Sequence, residues 1–191
     1  MKIVFATNNL HKLEEIRKAV GDKHEIVSLK EIGFDEEIPE THDTLEGNAS
    51  EKAFHIYDRF QLTCFADDTG LEIEALNGEP GVYSARYAGK NPTFDDNMNK
   101  VLANMEAKTN RSAKFRTVIS LIIDGKETQF EGICPGNIMT ERYGDEGFGY
   151  DPIFMPNNFQ ETFAEMDLSV KNEISHRGLA TKKLIAFLNK L

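Results

Sequence analysis

Apolar residues along this chain switch repeatedly between two periodicities. Lys2–Ala6 (KIVFA) is a short, mostly apolar run closed by the polar pair Asn8-Asn9, and it predicts a strand. From Leu10 to Val20 the apolar positions Leu10, Leu13, Ile16, Ala19 and Val20 recur at helical spacing. Glu25–Leu29 predicts a second strand, and Gly33–Asp43 (GFDEEIPETHD) a strongly acidic loop. Thr44 stands where a helix cap belongs, ahead of a helix over Leu45–Arg59 with Leu45, Ala49, Ala53 and Ile56 inward. Leu62–Ala66 predicts a strand that stops abruptly at Asp67-Asp68-Thr69-Gly70.

Asn77–Gly81 (NGEPG) marks a loop, and Thr93 caps a helix through Met105 with Met98, Val101, Leu102 and Met105 on one stripe. Phe115–Ile123 reads as a strand joined through the tight-turn pair Asp124-Gly125 to a partner over Glu127–Cys134. Gly144–Gly149 is loop-like, and a final helix runs from about Gly178 to Leu191. No repeat, low-complexity tract or Pro/Ser-rich linker interrupts the chain, so residues 1–191 predict a single domain. Mixed strands and helices with one hairpin imply an α/β fold with a mixed sheet.

Length and charge narrow the function. A chain of 191 residues can bury a substantial core, with room for two lobes about a cleft. No apolar run approaches the roughly 20 residues that span a bilayer, and MKIVFAT is too short for a secretory signal. Cys64 and Cys134 show no CxxC spacing, which predicts reduced thiols and a cytoplasmic protein. The net charge of −10 argues against DNA or RNA as partner, since such binders carry a basic face. A small anionic ligand stays open, because a few cations and a carboxylate-held metal can bind phosphate on an acidic protein.

Four constellations could do such chemistry. Thr7-Asn8-Asn9-Leu10-His11-Lys12 spans a strand end and a helix start, where unpaired N–H groups and the Lys12 ammonium suit a phosphate; a plain helix cap with a solvated lysine is the alternative. The sequence G-x-x-x-x-G-K-[ST] of a P-loop is absent. Glu40 and the adjacent Asp67-Asp68 need a cation or hydrogen bonds to offset lost hydration, and oxygen donors of this kind suit Mg²⁺ with a substrate phosphate. One of the aspartates could take a proton from water. In Gly147-Phe148-Gly149-Tyr150-Asp151, glycines let the backbone approach a flat ligand on which Phe148 or Tyr150 stacks, unless one ring belongs to the core. Lys171 and Ser175-His176-Arg177-Gly178, just before the last helix, offer donors to a carbonyl oxygen on a base edge.

Together and in this order, these motifs resemble one family, the inosine/xanthosine triphosphate pyrophosphatases. The resemblance is carried by TNNLHK (Thr7–Lys12), ETHDTLEGNASEKA (Glu40–Ala53), FADDTGLEIEALNGEPGVYSARYAG (Phe65–Gly89), GFGYDPIF (Gly147–Phe154) and SHRGLA (Ser175–Ala180), nearly the whole chain. It implies that Thr7, Asn9, Lys12 and Lys52 line the triphosphate and that Glu40 and Asp68 hold Mg²⁺. Asp68 would be the proton acceptor with Asp67 close by, and Thr69 would touch substrate. Phe148–Asp151 would hold the base with Phe148 stacking, while Lys171, His176 and Arg177 read its edge. The implied fold is an elongated mixed sheet flanked by helices, two lobes around a substrate groove, in a homodimer. The implied reaction takes XTP, ITP or dITP to the monophosphate and pyrophosphate.

Three positions depart from the family pattern. Asn8 replaces a usual Gly, and Asn tolerates left-handed backbone next best. Gly47 stands where a Glu is frequent, and Thr69 replaces Ser with the hydroxyl kept. A Maf-like pyrophosphatase of pyrimidine or modified nucleotides is one rival, opposed by the SHRG and GFGYD motifs. A non-catalytic nucleotide-binding module is another, opposed by the retained Glu40, Asp67 and Asp68.

Overall fold

Three successive apolar residues, Ile3, Val4 and Phe5, make β1 (Lys2–Phe5) a strand buried on both faces. In the computed structural model, which describes residues 1–191 apart from the side chain of Asp22, β1 is parallel to β2 (Glu25–Ser28) and to β3 (Cys64–Ile73). Parallel neighbours need crossovers, and α1 (Leu10–Val20) and α2 (Leu45–Phe60) fall in the two connections. The chain continues through β4 (Pro80–Gly81), α3 (Phe94–Met105), β5 (Ser112–Ile123), β6 (Lys126–Ile138), β7 (Phe154–Pro156), α4 (Leu168–Ile174) and α5 (His176–Leu188). The strand order is β2-β1-β3-β5-β6-β7, with β4 on β3. Antiparallel β3/β4 and β6/β7 pairs make the sheet mixed, the α/β class expected. Asp124 and Gly125 turn the β5–β6 hairpin with φ of 49° and 75°, the left-handed pair that an Asp-Gly turn supplies.

The chain divides into two compact units. The first comprises Met1–Asp68, Thr117–Gly132 and Gly178–Leu191. One of its clusters joins Ile3, Phe5, Phe65, Ile119 and Leu121 to Leu13, Ile16 and Val20 of α1 and Ala180, Leu184 and Leu188 of α5. Phe5 and Phe65 stack there, ring centroids 4.4 Å apart. The other cluster joins Val4, Ala6, Cys64, Ala66 and Ile122 to Ala53 and Ile56 of α2. Odd and even positions of β1 and β3 thus sort onto opposite faces, as the two-residue period of a strand requires. The second unit, Thr69–Arg116 with Ile133–Arg177, has its own core, including Leu71, Ile73, Met98, Val101, Met105, Phe115, Phe154 and Phe163. Thr93 caps α3 in a reciprocal capping box with Asp96, as its position suggests.

Several boundaries differ from expectation. β3 does not stop at Ala66 but continues through Asp67-Asp68-Thr69-Gly70 to Ile73, because lysines neutralise the acids in place. On α1, Leu10 and Ala19 face outward, and the buried stripe is Leu13, Ile16 and Val20. β6 extends to Ile138, and α5 opens at His176 and closes at Leu188. β4, β7 and α4 carry no periodicity long enough to announce them. Among the described residues no helix is long and apolar enough to cross a membrane.

Both cysteines are buried without a disulfide. Burial pushes the Cys64 thiol up to about 12, with the Asp58 carboxylate adding to it, and the Cys134 thiol up to about 11. Alkylation at pH 8 should therefore be slow in the folded protein and fast in urea. Because the unfolded chain releases these protons first, near pH 9, stability should fall as pH rises beyond that value. Denaturation midpoints at pH 7.5 and 10 read the effect, and a Cys64→Ala/Cys134→Ala double variant should show less of it.

Candidate active site

Adjacent carboxylates on a strand point to opposite faces, and each finds its own lysine. Asp67 follows Phe65 onto the face of α1, where Lys12 Nζ donates to its Oδ2 at 2.8 Å. Asp68 follows Ala66 onto the face of α2, where Lys52 Nζ lies 3.3 Å from Oδ1 and Asn48 Nδ2 donates to Oδ2 at 3.1 Å. The Lys52 ammonium also meets Glu40 Oε1 at 2.6 Å, so Glu40, Lys52 and Asp68 form one array. Opposite faces separate Asp67 and Asp68, and a lysine in contact with each offsets its charge.

Burial raises the Asp68 carboxyl above the usual range, with Glu40 adding to it and Lys52 and Lys12 opposing. Burial alone would lower the Lys52 ammonium; Asp68, Glu40 and Asp67 more than reverse it and hold it above its ordinary value. Each group thus needs the other's charge.

The Thr7–Lys12 segment is a built turn. Asn9 caps α1 through its side chain, which accepts from Lys12 N at 3.2 Å, and Thr7 Oγ1 accepts from Asn9 N at 3.1 Å. Asn8 is not among the residues with positive φ, so the backbone tolerance expected of it is not called upon. Leu10, His11 and Asn8 are exposed. Thr69 is half-buried in β3 of the second unit.

In the second unit, Asp151 Oδ2 accepts from Lys171 Nζ at 2.7 Å and from Phe148 N at 2.8 Å, and Asp151 and Lys171 are both buried. Burial raises the Asp151 carboxyl, opposed chiefly by Lys171. Gly147, at φ 80°, leaves that carboxylate its space, because a Cβ there would collide with Asp151 Oδ2. The Phe148 ring is half-buried, with Lys171 Nζ 5.4 Å and Arg177 Cζ 5.3 Å from its centre. Gly149, at φ 66°, is likewise half-buried. Tyr150 belongs to the core instead, its hydroxyl donating to Ser84 O at 2.7 Å. Of the two rings weighed for stacking, only Phe148 remains available. His176 is the first residue of α5, not of a preceding loop, and its buried ring lies 4.5 Å from Phe115, nearly parallel.

Residues 3–187 match the model of the Ham1 family. The chain belongs to that family. A dITP/XTP pyrophosphatase of Flavobacterium johnsoniae is 54% identical over 188 residues, 98% of each chain. One of Porphyromonas gingivalis is 53% identical over 188 residues, 98% of this chain and 97% of its own. A Ham1 protein of Coxiella burnetii has the same fold at a TM-score of 0.93, with 40% identity and both chains covered in full. The family resemblance read from the motifs is borne out, and so is the α/β fold with a mixed sheet and flanking helices.

The motif resemblance implies Mg²⁺, and Glu40 and Asp68 are the residues whose chemistry could hold it. Glu40 and Asp68 offer hard oxygens, already gathered about one cation. Among the described residues no group of three or more His, Cys, Asp and Glu is placed to hold a metal alone. Such a site suits an ion that brings waters and phosphates as its remaining ligands.

Sequence reading missed Asn48, which is completely buried between Asp68 and the backbone of the acidic loop. Its signal was a polar residue four positions before Lys52, on the inward stripe of α2. Removing the ammonium from the array should be costly. Lys52→Met would leave Asp68 and Glu40 facing each other, and urea denaturation should show a loss of about 3 kcal/mol. Adding Asp68→Asn to that variant should restore part of it; additive losses would mean that the two charges are not coupled.

Proposed function

We propose that this chain hydrolyses XTP, ITP and dITP to the nucleoside monophosphate and pyrophosphate. The observation that carries the reading is the array in which Lys52 joins Glu40 and Asp68, with Lys12 on Asp67 in the same unit. The identity to proteins named dITP/XTP pyrophosphatases, over nearly the full length of both chains, supports it.

In this reaction a water oxygen attacks the α phosphorus, the bond to the bridging oxygen of the β phosphate breaks, and pyrophosphate departs. Asp68 accepts the proton that the water loses. Lys12 and Lys52, with the N–H groups at the start of α1, bind the triphosphate and offset the charge that grows on its oxygens. Mg²⁺, held by Glu40 and Asp68, would supply further charge neutralisation on the phosphates. Asp67 keeps Lys12 in position at 2.8 Å.

The second unit supports base recognition. Phe148 provides the stacking face, and Lys171 and Arg177 provide donors beside it. Hypoxanthine and xanthine carry an acceptor oxygen at the six position, whereas adenine presents an amino group that would leave buried donors unpaired. The family resemblance further supports a homodimer working in the cytoplasm, which sedimentation of the purified chain would test in its oligomeric part.

Pyrophosphate release from XTP, ITP, dITP, GTP, ATP and dTTP, each with Mg²⁺ and with EDTA, tests the whole reading. Metal-dependent release confined to XTP, ITP and dITP is expected; preference for dTTP, or no turnover, would sink it. Asp68→Asn should fold and bind nucleotide yet lose about 10²–10⁴-fold in kcat. Arg177→Ala should raise KM for ITP about tenfold with kcat little changed, consistent with one lost charged hydrogen bond.

A further inference from the structure

Asn48 takes no part in the chemistry above, yet none of its surface is exposed. Burying a primary amide is costly unless both of its ends are paired. Here Nδ2 donates to Asp68 Oδ2 at 3.1 Å, and Oδ1 accepts from the backbone N–H of His42 at 2.9 Å. Chemistry fixes the amide's direction, since a flip would set oxygen against carboxylate and NH₂ against N–H.

We propose that Asn48 is a positioning residue that ties the Asp68 carboxylate to the backbone of the Glu40 loop, so that the two carboxylates assigned to Mg²⁺ keep one spacing. This rests on the pyrophosphatase reading. The loop is strapped to the same stretch of α2 at adjoining points. Thr41 donates to the Glu51 carboxylate from N at 2.8 Å and from Oγ1 at 2.9 Å. His42 approaches so closely that a Cβ at Gly47 would fall 2.7 Å from His42 Cβ. Asn48 carries the strap on to β3 without charge. Lys52 also spans Glu40 and Asp68, but as a flexible cation facing the same carboxylates that would hold a metal. The amide occupies Asp68 Oδ2 while Lys52 lies nearest Oδ1, so Asn48 determines which oxygen is turned toward an incoming ligand.

Mg²⁺ demands near-ideal octahedral geometry, so a loosened carboxylate pair should damage turnover more than it damages nucleotide binding by the lysines. The test compares wild type, Asn48→Ala and Asn48→Asp. Asn48→Ala should lower kcat for ITP about a hundredfold with KM within about threefold, and should raise the half-saturating Mg²⁺ concentration about tenfold. Amide hydrogen exchange without nucleotide should show His42 losing protection in Asn48→Ala while the amides of α2 keep theirs. Asn48→Asp keeps the volume and an acceptor for His42 but sets a carboxylate against Asp68. It should retain His42 protection and still lose kcat, and it carries the test if Asn48→Ala does not fold. The proposal is overturned if kcat and the Mg²⁺ requirement stay within twofold of wild type, or if the loss falls on KM alone. Variants that keep the kcat and Mg²⁺ requirement of an active wild type overturn this role only. A wild-type chain that releases no pyrophosphate overturns the pyrophosphatase reading and this role with it.

Discussion

Two consecutive carboxylates inside a buried strand must each find a cation, and this requirement organises the first unit. Side chains on a strand alternate, so Asp67 and Asp68 turn to opposite faces and each meets its own lysine in direct contact. Lys12 arrives from α1 on one face and Lys52 from α2 on the other. The apolar clusters set the register that makes this work: Phe65 stacks on Phe5 beside the α1 face, while Cys64 and Ala66 meet Ala53 and Ile56 on the α2 face. A slip of one residue would turn each aspartate to the opposite face, away from its present lysine. Buried ion pairs seldom stabilise more than apolar groups of the same volume would. The arrangement is better explained by the chemistry it holds in place than by stability.

The second unit meets a similar requirement more simply. One carboxylate, Asp151, is buried against one ammonium, and the backbone N–H of Phe148 joins them. The short helix α4 delivers that ammonium: Lys171 is its one buried residue, while Leu168 and Val170 face outward. The same contacts fix the Gly147–Gly149 turn and set the Phe148 ring beside Lys171 and Arg177. An element built around a polar contact in this way has no apolar stripe to display.

That difference marks how far the sequence could be read. α1, α2, α3 and the β5–β6 hairpin were legible because burial of apolar side chains defines them and caps or an Asp-Gly turn bound them. The course of β3 past Ala66 was not, since Asp and Gly are poor strand residues and the compensating Lys12 and Lys52 lie far off in sequence. α4 stayed hidden for the same reason. Motif order pointed to the charged residues themselves, but not to the face each occupies. Nor could spacing decide between Phe148 and Tyr150, because an aromatic in a glycine-rich loop serves core and ligand equally well until the fold assigns it.

The two faces also separate the aspartates chemically. Asp67 is committed to Lys12 at 2.8 Å, its side chain only 2% exposed, and it serves best as an anchor for that lysine. Asp68 lies farther from its lysine, at 3.3 Å, and burial raises its proton affinity above that of an ordinary carboxylate. A general base needs that combination: ionised at the outset, yet avid for a proton once water begins to lose one. Lys52 supplies the first condition by opposing the effect of burial, and burial supplies the second. Burial and Lys52 thus act on the Asp68 carboxyl in opposite directions. The lysine between Glu40 and Asp68 therefore opposes burial at the carboxylate proposed as the base.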